Sequence, residues 1–161
     1  MPKSLQKVQG FPLWVASGAD RFGEHRGLGV SSIAFKITPQ DIKGMLILEN
    51  TFHQPGGPAR HLHYEQDEWF YILEGEFKFE VGDESLTLCA GDALLGPRKV
   101  PHVWAFSGGA QRGRILIAFM PAGKMESFFR QATQANAMPP QDPALWRSHG
   151  MELLGPPISV A

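Results

Sequence analysis

The sequence predicts an all-β fold of the sandwich, barrel or jelly-roll type, followed by short C-terminal helices. About eight short β-rich runs occupy residues 28–120. The 18 glycines and 13 prolines are scattered between these runs as turn residues. The period of the apolar residues becomes helical only after Pro121. The chain of 161 residues has the length of a single domain. We divide it into an irregular arm (1–27), a barrel (28–120) and a helical segment (121–150).

The strand predictions rest on β-rich runs bounded by turn residues. Gly75 interrupts the long run EWFYILEGEFKFEV, which predicts a tight bend or bulge there. After Gly75, apolar and charged residues alternate with the period of a half-buried strand. GDE then predicts a hairpin turn. The predicted strands lie in GVSSIAFKIT, GMLILENTF, ARHLHY, EWFYILEGEFKFEV, SLTLCAGDALLG, VPHVWAFSG and RILIAFM.

Two helices are predicted after the barrel. Apolar residues recur at helical spacing from Met125 to Ala132, and this spacing includes Phe128 and Phe129. A second, shorter helix is expected in DPALWRSHG, with an aspartate as its N-cap, a proline in the first helical position and a glycine after its end. Both are interpreted as surface helices that cover a barrel edge or a partner chain. The tail LLGPPISVA (residues 153–161) carries no clear signal.

Composition weighs against two classes of partner. The 15 basic and 16 acidic residues leave a net charge of −1, and no run of like charge occurs, which weighs against nucleic acid or an anionic membrane as partner. No apolar run approaches the ~18 residues that would span a bilayer. We therefore expect a cytoplasmic protein. Cys89 is the only cysteine, so no intramolecular disulfide can form, and we expect it to be a small buried side chain.

Two histidines one residue apart provide the main chemical signal. Because side chains alternate on a strand, His61 and His63 share one face while Leu62 points to the other. Their Cα atoms would lie roughly 6–7 Å apart, so both rings can reach one metal ion.

A carboxylate is expected to be the third ligand. In a straight strand, parity would favour Glu65 and Asp67. However, the polar stretch YEQD before a strongly apolar run indicates a turn, which resets the parity. Glu68 would then open the next strand, antiparallel to the first, and return beside the histidines. We favour Glu68, with Asp67 as its competitor.

A third histidine stands in an equivalent position downstream. His102 opens the strand HVWAF after a turn that contains proline. Among the six histidines, the two of HLH and His102 stand at strand starts after glycine- or proline-containing turns. His25 lies in the arm, His53 at a strand end and His149 in the last turn of a short helix, so these three are expected to be solvated or locally hydrogen-bonded.

Together these spacings resemble the two motifs of the cupin family. The first, G(X)5HXH(X)3–4E(X)6G, is matched by His61, His63, Glu68 and Gly75, while Gly56 lies one position closer than the motif glycine.

The second motif, G(X)5PXG(X)2H(X)3N, is matched by Gly91, Pro97 and His102. Lys99 stands in place of its glycine and Phe106 in place of its asparagine. Both departures concern the turn and the strand end rather than the ligands.

The resemblance implies a double-stranded β-helix, the jelly-roll barrel of cupins. His61, His63, Glu68 and His102 would point inward and bind one divalent transition metal, which could be Fe, Mn, Ni, Cu or Zn. The alternative is a closed tetrahedral site that only stabilises the fold. By strand parity, a substrate pocket beside the metal would be lined by Phe70, Ile72, Trp104 and Phe106, unless these side chains simply fill the barrel.

Within the family, the chain resembles the quercetin-dioxygenase-type group. This resemblance predicts an oxidoreductase of dioxygenase type that acts on a small hydroxylated substrate, aromatic or enol-like, bound to the metal. Glu68 would serve both as ligand and as general base. The alternatives are a non-catalytic cupin that binds a metal or small ligand, and a non-redox isomerase. We also expect a homodimer, because the exposed strands, the arm and the helix carrying Phe128 and Phe129 could meet a neighbour.

Overall fold

The computed structural model describes residues 12–160. Two antiparallel sheets face each other, as in the predicted jelly roll. The first sheet has the strand order β1-β2-β3-β10-β5-β8, and the second has the order β11-β4-β9-β6-β7. The strands are β1 Arg26–Leu28, β2 Ser31–Ile37, β3 Leu46–Phe52, β4 Arg60–His63, β5 Asp67–Glu74, β6 Glu76–Val81, β7 Glu84–Leu88, β8 Ala93–Gly96, β9 His102–Gly108, β10 Gly113–Met120 and β11 Met151–Gly155.

The core lies between the two sheets and is rich in aromatic rings. Phe70 of the first sheet meets Phe79 and Trp104 of the second, with ring centroids 5.0 and 5.8 Å apart. These side chains are almost fully buried. Aromatic side chains of this size supply much of the apolar area that stabilises such a core.

Gly75 forms the predicted bend, and it transfers the chain from one sheet to the other. β5 ends at residue 74 in the first sheet, and β6 begins at residue 76 in the second. The φ angle of Gly75 is 84°, a conformation that favours glycine. A Cβ atom there would lie 2.8 Å from the ring of Phe106, so any side chain would also displace the core.

The turn predicted in YEQD exists, but the strands on either side of it do not pair. Residues 64–66 connect β4 to β5, and β5 lies in the opposite sheet between β10 and β8. The prediction that Glu68 returns on a strand paired with that of the histidines is therefore wrong, because β4 and β5 lie in different sheets. Glu68 reaches them across the interior of the barrel.

The C-terminal segment packs on its own barrel. It contains α1 Met125–Ala132, a 3-10 turn Thr133–Ala135 and α2 Pro143–Ser148. The Asp142 carboxylate accepts a hydrogen bond from the backbone N–H of Ala144, and Pro143 is the first helical residue, as predicted. Phe128 and Trp146 are buried against each other, with ring centroids 5.3 Å apart. Helix α1 therefore buries its apolar face within its own chain.

Two features differ from the sequence interpretation. The tail LLGPPISVA carries no signal in the sequence, yet it supplies the end of β11, and β11 covers the free edge of β4. Cys89 is exposed just after β7, because that edge strand turns most of its residues to solvent, so its predicted burial is wrong. Within residues 12–160, neither helix is long and apolar enough to cross a membrane.

Candidate metal centre

Four predicted ligands meet inside the barrel from three strands. His61 and His63 lie on β4, and His102 opens β9 directly opposite His61. Glu68 comes from β5 in the facing sheet. Their exposed fractions are between 1% and 5%. Two strands of one sheet and one of the other therefore bring all four side chains to a single buried point.

The distances in this cluster suit a single ion. The Oε2 atom of Glu68 lies 3.0 Å from Nε2 of His63 and 2.9 Å from Nε2 of His102. One ligand atom from each of the four side chains lies within 4.8 Å of all the others. Two ligands at right angles, each about 2.1 Å from a metal, would stand about 3.0 Å apart. The measured separations match that geometry.

Hydrogen bonds on the far side of the rings fix the tautomers. Nδ1 of His61 lies 2.7 Å from the carbonyl oxygen of Ala59. A carbonyl oxygen only accepts, so this Nδ1 carries the proton. Nδ1 of His63 donates to Oε1 of Gln66 at 2.9 Å, and Nε2 of Gln66 donates to the carbonyl of Ala122 at 2.7 Å. Nδ1 of His102 lies 3.4 Å from the carbonyl oxygen of Val100. Each of the three Nε2 atoms is thereby left as a lone-pair donor, the form that binds a metal.

As a result, buried acceptor atoms face one another without a donor. Nε2 of His63, Nε2 of His102 and Oε2 of Glu68 all lack hydrogen-bond partners. Buried polar atoms are rarely left unpaired, and lone pairs about 3 Å apart repel unless a cation lies between them. The four side chains therefore fit one divalent transition metal, and they do not distinguish Fe, Mn, Ni, Cu and Zn.

The electrostatics of the cluster favour the protonation states that ligands need. Burial lowers the pKa of His61 well below its ordinary value, and nearby His102 and His63 lower it further. Burial alone would raise the pKa of Glu68, but the His102 and His63 imidazoles beside its carboxylate outweigh burial and lower that pKa. At neutral pH the cluster therefore presents a neutral His61 and an ionised Glu68.

The competing carboxylates face away from the cluster. Asp67 binds Arg98 at the surface at 2.9 Å, and hydrogen bonds from Arg98 lower its pKa. Glu65 is exposed in the turn. His25, His53 and His149 also lie outside the cluster.

A narrow cavity of 40 Å³ adjoins the cluster. A water molecule needs roughly 10–15 Å³ on this measure, so the space holds a few waters and no organic molecule. Side chains of the C-terminal segment form much of its apolar wall, and they include Met125, Phe128, Met138 and Trp146.

Of the four predicted substrate contacts, Trp104 lines this cavity. Its Nε1 atom is buried without a hydrogen-bond partner. Phe70, Ile72 and Phe106 are buried in the core and are not part of the cavity wall.

Two contributions were missed by the sequence interpretation. Gln66, which fixes His63, lies in a stretch read only as a turn. The sequence interpretation places Phe128 and Trp146 on helices that cover a barrel edge or a partner chain, and it does not predict that they form part of the cavity wall. The apolar spacing of α1 was a usable signal, whereas nothing in the local sequence marks Gln66.

Comparison with curated proteins shows similarity to dioxygenases over part of the chain. The 3-hydroxyanthranilate 3,4-dioxygenase of Xanthomonas euvesicatoria is 37% identical over 86 residues, which span 49% of this chain and 45% of the relative. The enzyme of the same name from Xanthomonas campestris is 35% identical over 86 residues, with the same coverage. The chain thus spans less than half the length of these relatives.

Comparison with solved structures supports the fold. KdgF from Halomonas sp. matches with a TM-score of 0.53 and 20% identity, over 61% of this chain and 87% of that chain. A predicted oxalate decarboxylase from Thermotoga maritima matches with a TM-score of 0.54 and 17% identity, over 61% and 90%. The cupin domain of Cnp3 from Schizosaccharomyces pombe matches with a TM-score of 0.51 and 12% identity, over 63% and 71%. These likenesses concern the fold alone.

A family model described as a cupin domain matches residues 51–119, which include all four residues of the cluster. The two-sheet barrel, the motif residues at its centre and this match agree with one another. Residues 51–119 of this chain therefore belong to the cupin family.

Proposed function

We propose that this chain is a metal-dependent cupin of dioxygenase type, acting on a small hydroxylated aromatic substrate. The observation that carries the proposal is the set of buried acceptor atoms, unpaired and about 3 Å apart, beside an apolar cavity. The partial similarity to the two dioxygenases named above supports the reaction type.

His61, His63, Glu68 and His102 would hold the metal through three imidazole nitrogens and one carboxylate oxygen. Such an ion acts as a Lewis acid toward a substrate oxygen and, if redox-active, adds dioxygen chemistry. The protein keeps the imidazoles neutral and aimed inward through the Nδ1 hydrogen bonds to Ala59 and Gln66. The barrel walls exclude bulk water from the cluster, since each of the four side chains is buried.

Glu68 is proposed to act as general base as well as ligand. Its Oε2 atom faces the two imidazoles, so Oε1 is the atom that would accept a proton from a substrate hydroxyl. The neighbouring imidazoles of His102 and His63 lower its pKa in the metal-free cluster. Oε1 of Glu68 would therefore take a proton only from an acidic hydroxyl, and a bound metal would supply that acidity.

Trp104 is proposed to contact the substrate as a hydrogen-bond donor. It lines the cavity, and its Nε1–H is buried without a partner. A substrate with an acceptor oxygen in addition to its hydroxyl would satisfy this donor. Phe70 packs on Trp104, with ring centroids 5.8 Å apart. We propose that Phe70, Ile72 and Phe106 support the site by holding Trp104 and His102 in place.

A second candidate is a non-catalytic cupin that binds a metal or a small ligand. Two observations favour it. The cavity is too small for an aromatic substrate in this conformation, and apart from the cluster no titratable side chain lines it among residues 12–160.

Dioxygen uptake separates these two candidates. The protein would be loaded in turn with Fe(II), Mn(II), Ni(II), Cu(II) and Zn(II), and uptake would be followed with 3-hydroxyanthranilate, catechol and a flavonol. The dioxygenase proposal expects uptake with at least one redox-active metal and none in His61→Ala. An absence of uptake under every condition, with metal bound, would support the second candidate instead.

A further inference from the structure

A second concave site lies apart from the metal centre. It is an open cleft of 630 Å³ between the turn at residues 64–66, Lys99, the start of α1 and the end of α2. None of its lining residues belongs to the cavity beside the cluster. Its volume lies in the range of small-molecule sites. It therefore has room for an organic ligand, which the narrow cavity beside the cluster lacks.

The wall of this cleft is positively charged. Lys99, Lys124 and Arg147 line it, and all three are exposed. Within residues 12–160, no carboxylate forms an ion pair with Lys99 or Lys124, and Arg147 has only Glu152 at 3.6 Å. One carboxylate, that of Glu65, lines the same cleft in this part of the chain. Three cations thus surround one concave volume that holds a single acid.

A largely buried imidazole completes the wall. His149 is 9% exposed, and its Nδ1 lies 2.8 Å from the carbonyl oxygen of Leu145. Because that oxygen only accepts, Nδ1 carries the proton and Nε2 offers a lone pair. The structure shows no partner for Nε2 in the described part of the chain. A ligand hydroxyl in the cleft would satisfy it.

We propose that this cleft binds a small organic anion that carries a hydroxyl group beside carboxylate or phosphate groups. Lys99 and Lys124 bind the anionic oxygens as point charges, and Arg147 binds them with its planar guanidinium. Nε2 of His149 accepts from the hydroxyl. The proposal uses no atom of the metal cluster, so it can be tested independently of the proposed function.

Calorimetric titration at low ionic strength tests this site. The probes are citrate, glycerol 3-phosphate and tricarballylate, which has the three carboxylates of citrate without its hydroxyl. Lys99→Gln/Lys124→Gln removes two charges from the cleft. Lys43→Gln/Lys78→Gln removes two exposed lysines that do not line it. The titrations are repeated on His61→Ala, because citrate also chelates metals.

We expect citrate or glycerol 3-phosphate to bind, and the preferred one identifies the ligand as a carboxylate or a phosphate. The Lys99/Lys124 variant should bind roughly tenfold more weakly or worse, with the control variant unchanged. Binding should persist in His61→Ala. No binding of either probe, an equal loss in both double variants, or loss in His61→Ala would overturn the proposal. Tricarballylate binding as tightly as citrate would refute the assignment of the hydroxyl to His149.

Discussion

The side chain of Gln66 ties His63 to the segment that leads into α1. Its Oε1 accepts from Nδ1 of His63 at 2.9 Å, and its Nε2 donates to the carbonyl of Ala122 at 2.7 Å. Both ends of the amide are therefore used, which fixes its orientation. This contact sets the tautomer of His63 and directs Nε2 toward Glu68.

Substitution of Gln66 should weaken metal binding without touching a ligand. In Gln66→Leu, Nδ1 of His63 loses its acceptor, and the affinity for metal should fall about 10- to 100-fold. Competition with a chromogenic chelator measures that affinity. Gln66→Glu keeps an acceptor at this position and should retain more of it. Equal affinity in the wild type and Gln66→Leu would show that this contact does not orient the ligand.

The metal-free protein should lose stability as the pH falls. His61 has a lowered pKa in the fold, so below its ordinary value of 6.5 the unfolded chain binds a proton that the folded chain does not. Glu68 also has a lowered pKa, and its contribution is lost below its ordinary value of 4.5. Both effects have the same sign.

Urea unfolding at several pH values measures this dependence. His61→Leu should flatten the slope below pH 6.5 by up to about 1.4 kcal/mol per pH unit, the value for one proton. His53→Leu, which removes an exposed histidine outside the cluster, is the matched control. Equal slopes in the wild type and His61→Leu would contradict the assignment.

Lys99 adopts a conformation that glycine would adopt with less strain. Its φ angle is 66°, and its N–H donates to the carbonyl of His63 at 2.7 Å. The second cupin motif has glycine here, and the turn keeps its shape despite the lysine. Lys99→Gly should therefore stabilise the fold by about 1 kcal/mol, since the left-handed conformation costs other residues about that much. Lys99→Ala is the control for the lost charge and should leave the free energy of unfolding nearly unchanged. A loss of stability in Lys99→Gly would contradict this explanation.

The cavity beside the cluster must open before a substrate or a chelator can enter. Met138 lines the cavity, and its segment packs tightly on the backbone of Gly29. The packing is so close that a Cβ atom at Gly29 would lie 2.8 Å from the backbone nitrogen of Met138. The rate of metal removal should therefore become independent of chelator concentration once opening is limiting. Met138→Ala removes contacts that hold the segment closed and should raise this limiting rate several-fold.

Met45→Ala is the control, because Met45 does not line the cavity. Stopped-flow measurements over a range of chelator concentrations would compare the limiting rates of Met138→Ala and Met45→Ala. A rate that rises linearly with chelator concentration throughout would mean that the centre is already open.

The four residues of the cluster could be identified because strand parity and motif spacing are local properties. His61 and His63 share a face in any strand, and the polar turn after them was readable from composition. The partner sheet of β5 was not readable, since pairing depends on contacts distant in sequence. For the same reason β11 and its pairing with β4 were missed.

Parity also left the depth of side chains in the barrel undetermined. Parity correctly predicted that four side chains point inward, namely Phe70, Ile72, Trp104 and Phe106. An inward side chain, however, can lie either in the packed core or beside the cavity. Trp104 alone of these four lines the cavity. Depth depends on how far each strand extends past the cluster, which no local pattern records. The predicted homodimer stays a prediction, and the burial of Phe128 within its own chain takes that side chain out of the candidate contacts.

The most direct test is elemental analysis of the protein purified without added metal, beside His61→Ala and the control His53→Ala. The account predicts about one transition-metal ion per chain in the wild type and in His53→Ala, and loss of most of it in His61→Ala. A wild type without stoichiometric metal that also fails to take it up, or a metal content unchanged in His61→Ala, would contradict it.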